Sequence, residues 1–300
     1  MSKNLRGGVL LLLTAIIWGF AFVAQSEGSD KMGAITFQAA RTLLAVIVLL
    51  PVSLFSFNIR KKLYPNERFF DKKTTIAGVV CGTIFCLASA LQQVGIANTS
   101  VGHSGFLTAL YLLIVPIIGL FFGRKVSPKL WACIVLALVG LCFLCHTDEG
   151  IYLNKGDIFV ICSSFVFSAH ILAIDKLSAG VDGVRVSFFQ MLTACILSFI
   201  FAFIFEEPVL ADIVDSWLPV LYAGILSCGV AYTLQIIGQK YTHPTVASII
   251  MSLESVFAVI GGMIFLTQIP SLHEAIGCLL MFSATIISQL PDKKQKAKAD

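Results

Sequence analysis

Residues 33–73 read GAITFQAARTLLAVIVLLPVSLFSFNIRKKLYPNERFFDKK. The first part, 33–55, is an apolar run of bilayer-crossing length, about 20 residues, with one charge in it, Arg41. The second part places six basic residues (Arg60, Lys61, Lys62, Arg68, Lys72 and Lys73) in a short connection before apolar sequence resumes at 75. An apolar run closed by a cationic loop is the pattern of a membrane helix and its cytoplasmic connection.

Outward from this stretch the pattern recurs. Runs of the same kind cover 8–25, 75–95, 103–122, 129–145, 157–174, 185–205, 217–238, 245–265 and 272–290, making ten with 33–55. None alternates polar with apolar residues as a pore-lined β-barrel strand does. The expectation is an all-α polytopic membrane protein of ten transmembrane helices. Composition agrees: 57% of the 300 residues are hydrophobic and 13% charged, against about 25% charged in soluble domains. Mean hydropathy is +0.91. These values exclude a water-soluble domain, a disordered chain and a secreted disulfide scaffold.

Several motifs fail on inspection. The nine cysteines are odd in number and lie in apolar runs, so no disulfide framework is indicated. Cys142 and Cys145 form a CxxC with an apolar interior and no redox context. His273-Glu274 is followed by Gly277 where a zinc motif needs its second histidine. No GxxxxGK[ST] phosphate loop is present, and no cofactor or metal site is expected. Gly8–Ala24, behind Lys3 and Arg6, resembles a signal core, but it is long and places Phe22 at the −3 position of a cut after Ala24. It reads as an uncleaved first span.

The distribution of charge sets topology. With the N-terminus cytoplasmic, eighteen of the 21 basic residues fall on one side, leaving Lys31 and Lys155 opposite and Arg41 within a span. That bias puts both termini in the cytoplasm and the chain in the cell membrane. The net charge of +4 therefore reports topology and not nucleic-acid binding. The tail Lys293–Lys298 suits contact with anionic headgroups.

The two halves, 1–146 and 147–300, resemble each other. A shift of 149 pairs Gly7 with Gly156, Trp18 with Phe167 and Arg41 with Gln190. A shift of 143 pairs Asn98-Thr99 with Tyr241-Thr242 and Leu110-Tyr111 with Leu253-Glu254. Five spans per half force the second half to start on the opposite side. The loops agree: the counterpart of the six-cation loop carries Glu206, Glu207, Asp212 and Asp215 and no basic residue. Inverted repeats of this kind serve alternating access about a midplane site in many secondary transporters.

Among Asp, Glu, Lys and Arg, two residues fall deep within the spans. Arg41 and Glu254 each lie about nine residues in, roughly 13 Å deep at 1.5 Å per residue. Their compatible depth predicts an ion pair in at least one state of the protein, mirrored by a hydrogen-bonding pair of their repeat mates, Gln190 and Tyr111. A charge in hydrocarbon is costly and needs a partner or a wet path. Glu254 is thus a candidate proton carrier and Arg41 a candidate clamp for a substrate carboxylate, with a purely structural pair as the bland alternative. Trp18, Gln92, Gln93, Tyr111, His170, Tyr232, Gln235 and Gln239 are the remaining polar candidates for a cavity wall. Each has a packing alternative, because amides and hydroxyls also join membrane helices.

These residues in this order resemble the drug/metabolite transporter superfamily, in its ten-helix EamA-type members. The resemblance rests on Trp18-Gly19, Arg41, Asn98-Thr99-Ser100, Ala109-Leu110-Tyr111 with Pro116, Gln190, Lys240–Ser248, Leu253-Glu254-Ser255 and Gly261-Gly262. Thr267-Gln268 and Ser255 depart from the family's glycine-glutamate and proline. The resemblance implies transport of small metabolites, often export of amino acids or related compounds, with no ATP site. It implies a cavity lined mainly by the first, third, fourth, sixth, eighth and ninth helices. Expected partners are a small-molecule substrate, the lipid bilayer and protons as a candidate coupling ion. The alternatives are a multidrug or lipid-linked substrate exporter and, in a different class, a membrane-embedded enzyme or a receptor.

Overall fold

A computed structural model describes residues 3–99, 101–144, 154–265 and 271–290. The boundary at 146/147, Cys145, Thr267-Gln268 and the tail Lys293–Lys298 lie outside the described residues. Within them all regular structure is helical. The first half holds α1 (Lys3–Ser29), α2 (Ala34–Leu63), α3 (Lys72–Ile96), α4 (Val101–Ala109), α5 (Tyr111–Phe121) and α6 (Pro128–Leu144). The second holds α7 (Lys155–Leu177), α8 (Gly183–Phe205), the short α9 (Leu210–Asp215) and α10 (Trp217–Leu221), and a π-helix over Tyr222–Ala231. It continues with α11 (Tyr232–Gln239), α12 (Pro244–Met251), α13 (Glu254–Phe265) and α14 (Leu272–Gln289).

Eight helical stretches among the described residues are long and apolar enough to cross a membrane. Two shorter apolar helices, Pro128–Phe143 and Ala275–Gln289, stand where the fifth and tenth spans are expected. Large apolar side chains such as Ile47, Phe55, Phe203 and Phe205 face outward, which suits a protein solvated by lipid, where burial of apolar groups carries no premium.

Three spans are not the uniform helices that hydropathy suggests. The fourth breaks at Leu110 into α4 and α5, and the ninth breaks at Ser252-Leu253 into α12 and α13. The breaks are tight turns and not gaps, since Leu110 N–H donates to the Leu107 carbonyl and Leu253 N–H to that of Ile250. The eighth span contains the ten-residue π-helix. Hydropathy is blind to all three, because none removes an apolar residue.

Close helix approaches at glycine display the inverted repeat. A Cβ on Gly95 would lie 2.9 Å from the Gly156 carbonyl oxygen and 2.4 Å from Val160. One on Gly238 would lie 3.2 Å from the Gly7 carbonyl oxygen and 3.0 Å from Leu11. Likewise Gly82 meets the Gln190 oxygen at 2.5 Å and Thr193 at 2.8 Å, while Gly224 meets the Arg41 oxygen at 2.9 Å and Leu44 at 2.7 Å. In each comparison the partners differ by 149 in number. α3 therefore packs on α7 and α8 as the eighth span packs on α1 and α2. The first and last described helices meet at Gly8 and Gln289, so both ends of the described chain share one face, the one bearing the basic loop.

The connections are held across the halves. At the basic end Arg185, counted by sequence among the loop cations, is instead fully buried at the start of α8. Its guanidinium donates to Asp182 Oδ2 at 3.2 Å, to the Arg68 carbonyl at 2.8 Å and to Glu67, and it stacks over Phe57. Glu67 also pairs with Arg60 at 3.1 Å. At the other end Glu206 accepts from the N–H groups of Ile35 at 3.0 Å and Thr36 at 2.8 Å and from the Thr36 hydroxyl at 2.7 Å. Thr36 and Arg185 are again 149 apart. A carboxylate from each long connection thus grips the start of the opposite half's equivalent helix, Glu206 through the unpaired N–H groups that favour an anion there and Glu67 through the Arg185 guanidinium.

Candidate functional site

At mid-depth the helices enclose a cavity lined by Trp18, Phe22 and Gln25 of α1, Arg41 of α2, Gln92 of α3, Thr108 of α4 and Tyr111 of α5. Phe167 and Ile171 of α7, Ser227 of the π-helix, Tyr232 and Gln235 of α11 and Glu254 of α13 complete it. These are the six spans implied by the resemblance together with the second. The free volume is about 30 Å³, room for about two water molecules and not for a metabolite.

The two broken spans deliver their first residues here. Tyr111 opens α5 and Glu254 opens α13, repeat mates both facing the cavity. The N-terminal turn of α13 presents its partial positive charge to the Glu254 carboxylate. Half-helix ends of this kind form the midplane sites of many transporters. The Tyr111 hydroxyl is an electrostatic neighbour of the Glu254 carboxyl, yet neither that hydroxyl nor Glu254 Oε1 completes a hydrogen bond of good geometry.

The Arg41–Glu254 ion pair, expected in at least one state, is not formed in this one. Arg41 Nη1 donates to Gln25 Oε1 and Nη2 to Ser89 Oγ, both at 2.5 Å, and the guanidinium lies over the Phe37 ring, 5.6 Å from its centre. Gln25 and Ser89 solvate the cation locally, so a carboxylate partner is not required at that depth. The mirrored pair is likewise absent in this state: Gln190 Oε1 accepts from His170 Nε2 at 3.0 Å, and Tyr111 faces Glu254. That bond assigns the proton to Nε2, since an amide oxygen only accepts.

Of the sequence candidates, Trp18, Gln92, Tyr111, Tyr232 and Gln235 line the cavity with Arg41 and Glu254. Gln93, His170, Gln190 and Gln239 do not. Gln93 donates to the Gln25 carbonyl at 3.0 Å and to Ser29 at 2.6 Å, and Gln239 donates to the Ile171 carbonyl at 3.0 Å. His170 is fully buried in an aromatic cluster with Phe85, Phe167 and Tyr232. Sequence reasoning missed Gln25, Ser89, Thr108 and Ser227. Only the repeat offered a signal, since Ser89 is the mate of Tyr232.

Five buried polar atoms on cavity residues lack a hydrogen-bond partner: Trp18 Nε1, Arg41 Nε, Tyr111 Oη, Gln235 Oε1 and Glu254 Oε1. A buried polar group left unpaired costs about 1–3 kcal/mol. Two of the five are donors only, two accept, and the hydroxyl does either. Aromatic faces complete the wall, with Trp18 and Tyr232 ring centres 4.6 Å apart. The arrangement offers a fixed cation and a separate carboxyl, which suits a small solute carrying both an acidic and a basic group.

Comparison with known proteins supplies further findings. The EamA-like transporter family matches residues 5–145 and again 154–289. An "Uncharacterized transporter" of Archaeoglobus fulgidus is 28% identical over 289 residues, covering 96% of this chain and 87% of that protein. A solved crystal structure superposes with a TM-score of 0.74 over 98% of both chains at 16% identity, a likeness of fold alone.

Proposed function

The chain belongs to the EamA-like transporter family, and from that premise we propose that it is a secondary transporter of small organic metabolites. Its substrates are zwitterions such as amino acids, exported or equilibrated across the cell membrane by alternating access. The observation that carries this reading is the set of five unpartnered polar atoms around one small cavity between the repeats. Arg41 Nε takes the substrate carboxylate, Glu254 and Tyr111 take the ammonium group, and Trp18 and Tyr232 pack on the side chain. Gln25 and Ser89 hold two corners of the guanidinium fork, fixing the direction in which its free edge points.

A cavity of about 30 Å³ must widen to accept an amino acid. The repeat-related glycine contacts lie at its two ends: Gly7 on Gly238 at the basic end, Gly95 on Gly156 at the other. Opening one while the other stays closed exposes the site to one side at a time. Aromatic walls also suit a multidrug substrate, but a fixed cation disfavours the organic cations typical of that class. The test is uptake by reconstituted liposomes from a panel of amino acids and other metabolites, with and without a pH gradient. Saturable flux of zwitterions, lost in Arg41→Gln, supports the reading; flux confined to apolar cations would refute it. If Glu254 carries a coupled proton, Glu254→Gln removes the dependence of flux on the pH gradient. Retention of that dependence assigns Glu254 to substrate binding alone.

A further inference from the structure

The two halves differ by one residue at one place. Between the contact of Gly82 with the Gln190 oxygen and that of Gly95 with Gly156 lie 13 steps of chain. Between the equivalent contacts, Gly224 on Arg41 and Gly238 on Gly7, lie 14. Both ends of the interval are pinned by backbone approach, so the extra residue must be absorbed inside it. It is absorbed as the π-helix Tyr222–Ala231, which ends with Tyr232 N–H bonded to the Ser227 carbonyl five residues back. The equivalent part of α3 is ordinary α-helix. Single inserted residues commonly take this form, often at functional sites.

The insertion decides which side chains meet the cavity. On α3 the face toward the cavity runs Phe85, packed on Tyr232, Ser89, bonded to Arg41, and Gln92, which alone of the three lines the cavity, with α-helical spacings of four and three. On the eighth span it runs Ser227, Tyr232, Gln235, with spacings of five and three. An α-helix turns about 100° per residue, so five steps would point Ser227 roughly 140° away from Tyr232. The i to i+5 repeat of a π-helix brings the two onto one face. The mate of Ser227 is Phe85, a fully buried ring packed 4.6 Å from Tyr232. The π segment also abuts Arg41, through Gly224 on the Arg41 carbonyl.

We propose that the extra residue in the eighth span makes the cavity asymmetric by turning Ser227 into it beside Arg41, and that Ser227 is a specificity-determining contact for the substrate. This rests on the transporter reading of the cavity, so the test has one arm that needs no transport. Full-length protein is treated with a small water-soluble methanethiosulfonate, and modification is mapped peptide by peptide. The Ser227→Cys variant is expected to be modified at 227, on the cavity wall, while native Cys228, buried like Ser227 but not on that wall, is protected. An α-helical register would face position 228 to the cavity, four residues before Tyr232; modification at 228, or equal modification at both, overturns the proposal. Removing Ile225 restores the 13-residue spacing and is expected to protect position 227 in a variant that keeps its melting temperature. The second arm measures flux of the amino-acid panel through Ser227→Ala, a substitution small enough to fold. A change of about fivefold or more in the relative KM of hydroxylated against aliphatic amino acids is expected. An unchanged rank order in a transporting protein overturns the specificity role, whatever the labelling shows.

Discussion

Arg41 and Glu254 stand out in the sequence because an ionised group inside an apolar run has no cheap explanation. Their partners do not stand out: Gln25 and Ser89 are common packing residues of membrane helices, and nothing in their spacing tells solvation of a guanidinium from helix contact. This is why an ion pair was the natural expectation and a cation held by neutral groups the outcome. The fork geometry matters, since an ammonium cannot meet Gln25, Ser89 and a substrate together from one direction. Arg41→Lys is therefore expected to raise the KM of a transported zwitterion by roughly 10- to 100-fold, matching about 1.5–3 kcal/mol for a hydrogen bond to a charged group. Arg185 is the reverse case. At a span boundary it reads as a loop cation, yet it is buried against Glu67 and Asp182. Arg185→Ala takes the buried guanidinium from Glu67, which keeps Arg60, and from Asp182, which keeps Ser56 and the Val184 N–H. It should cost about 1.5–3 kcal/mol, seen as a lower melting temperature, whereas Arg124→Ala, whose ion pair with Asp175 is part-exposed, should cost under about 1 kcal/mol.

Helix ends carry a second layer of information. His243 caps α12, its Nδ1 accepting from the Thr245 N–H at 3.3 Å, so the cap requires the neutral ring. Burial holds the His243 pKa below its ordinary 6.5, Arg124 adds to this, and Asp175 opposes it. The folded state thus binds fewer protons at this site than the unfolded chain. The stabilisation is complete above about pH 6.5 and is lost as pH falls toward the lowered folded-state value. Melting between about pH 7.5 and 5.5 should show that loss, and His243→Asn, which keeps a cap without a titrating ring, should abolish it. At the start of α3, Asp71 accepts from the Thr74 N–H, and that bond lowers its pKa; Asp71→Ala should cost about 1 kcal/mol. Most helices were legible from apolar run length, and the caps at Asp71, Asn154 and Asp182 follow ordinary side-chain preferences. The breaks at Leu110 and Ser252 and the π-helix were not, because each changes hydrogen-bond register without changing hydropathy. The signal for the π-helix is arithmetic: a 149 offset at Arg41 and Gly7 against a shift from 142 to 143 along the eighth span.

The whole molecule is two five-span halves of opposite sense, and this was readable from the reversed charge of equivalent loops. What the charges could not convey is how the halves hold each other, through Glu67 on Arg185 at one end and Glu206 on Thr36 at the other. The inner latch is an ion-pair network and the outer one a carboxylate on neutral donors, so the two differ in strength. Glu206→Gln should weaken the outer grip and shift the population toward opening on that side, raising labelling of a cysteine placed at Thr99 by a membrane-impermeant reagent. Alternating access makes a sharper demand, that each glycine contact must open in every cycle. The deciding measurement is zwitterion exchange by liposome-reconstituted protein carrying one reducibly cross-linkable cysteine pair beside a glycine contact, at Thr99 and Asn154 or at Arg6 and Tyr241. Saturable exchange that stops on cross-linking at either end and returns on reduction is the predicted result. Exchange that continues with either end locked would contradict transport through a cavity opened alternately by the two repeats.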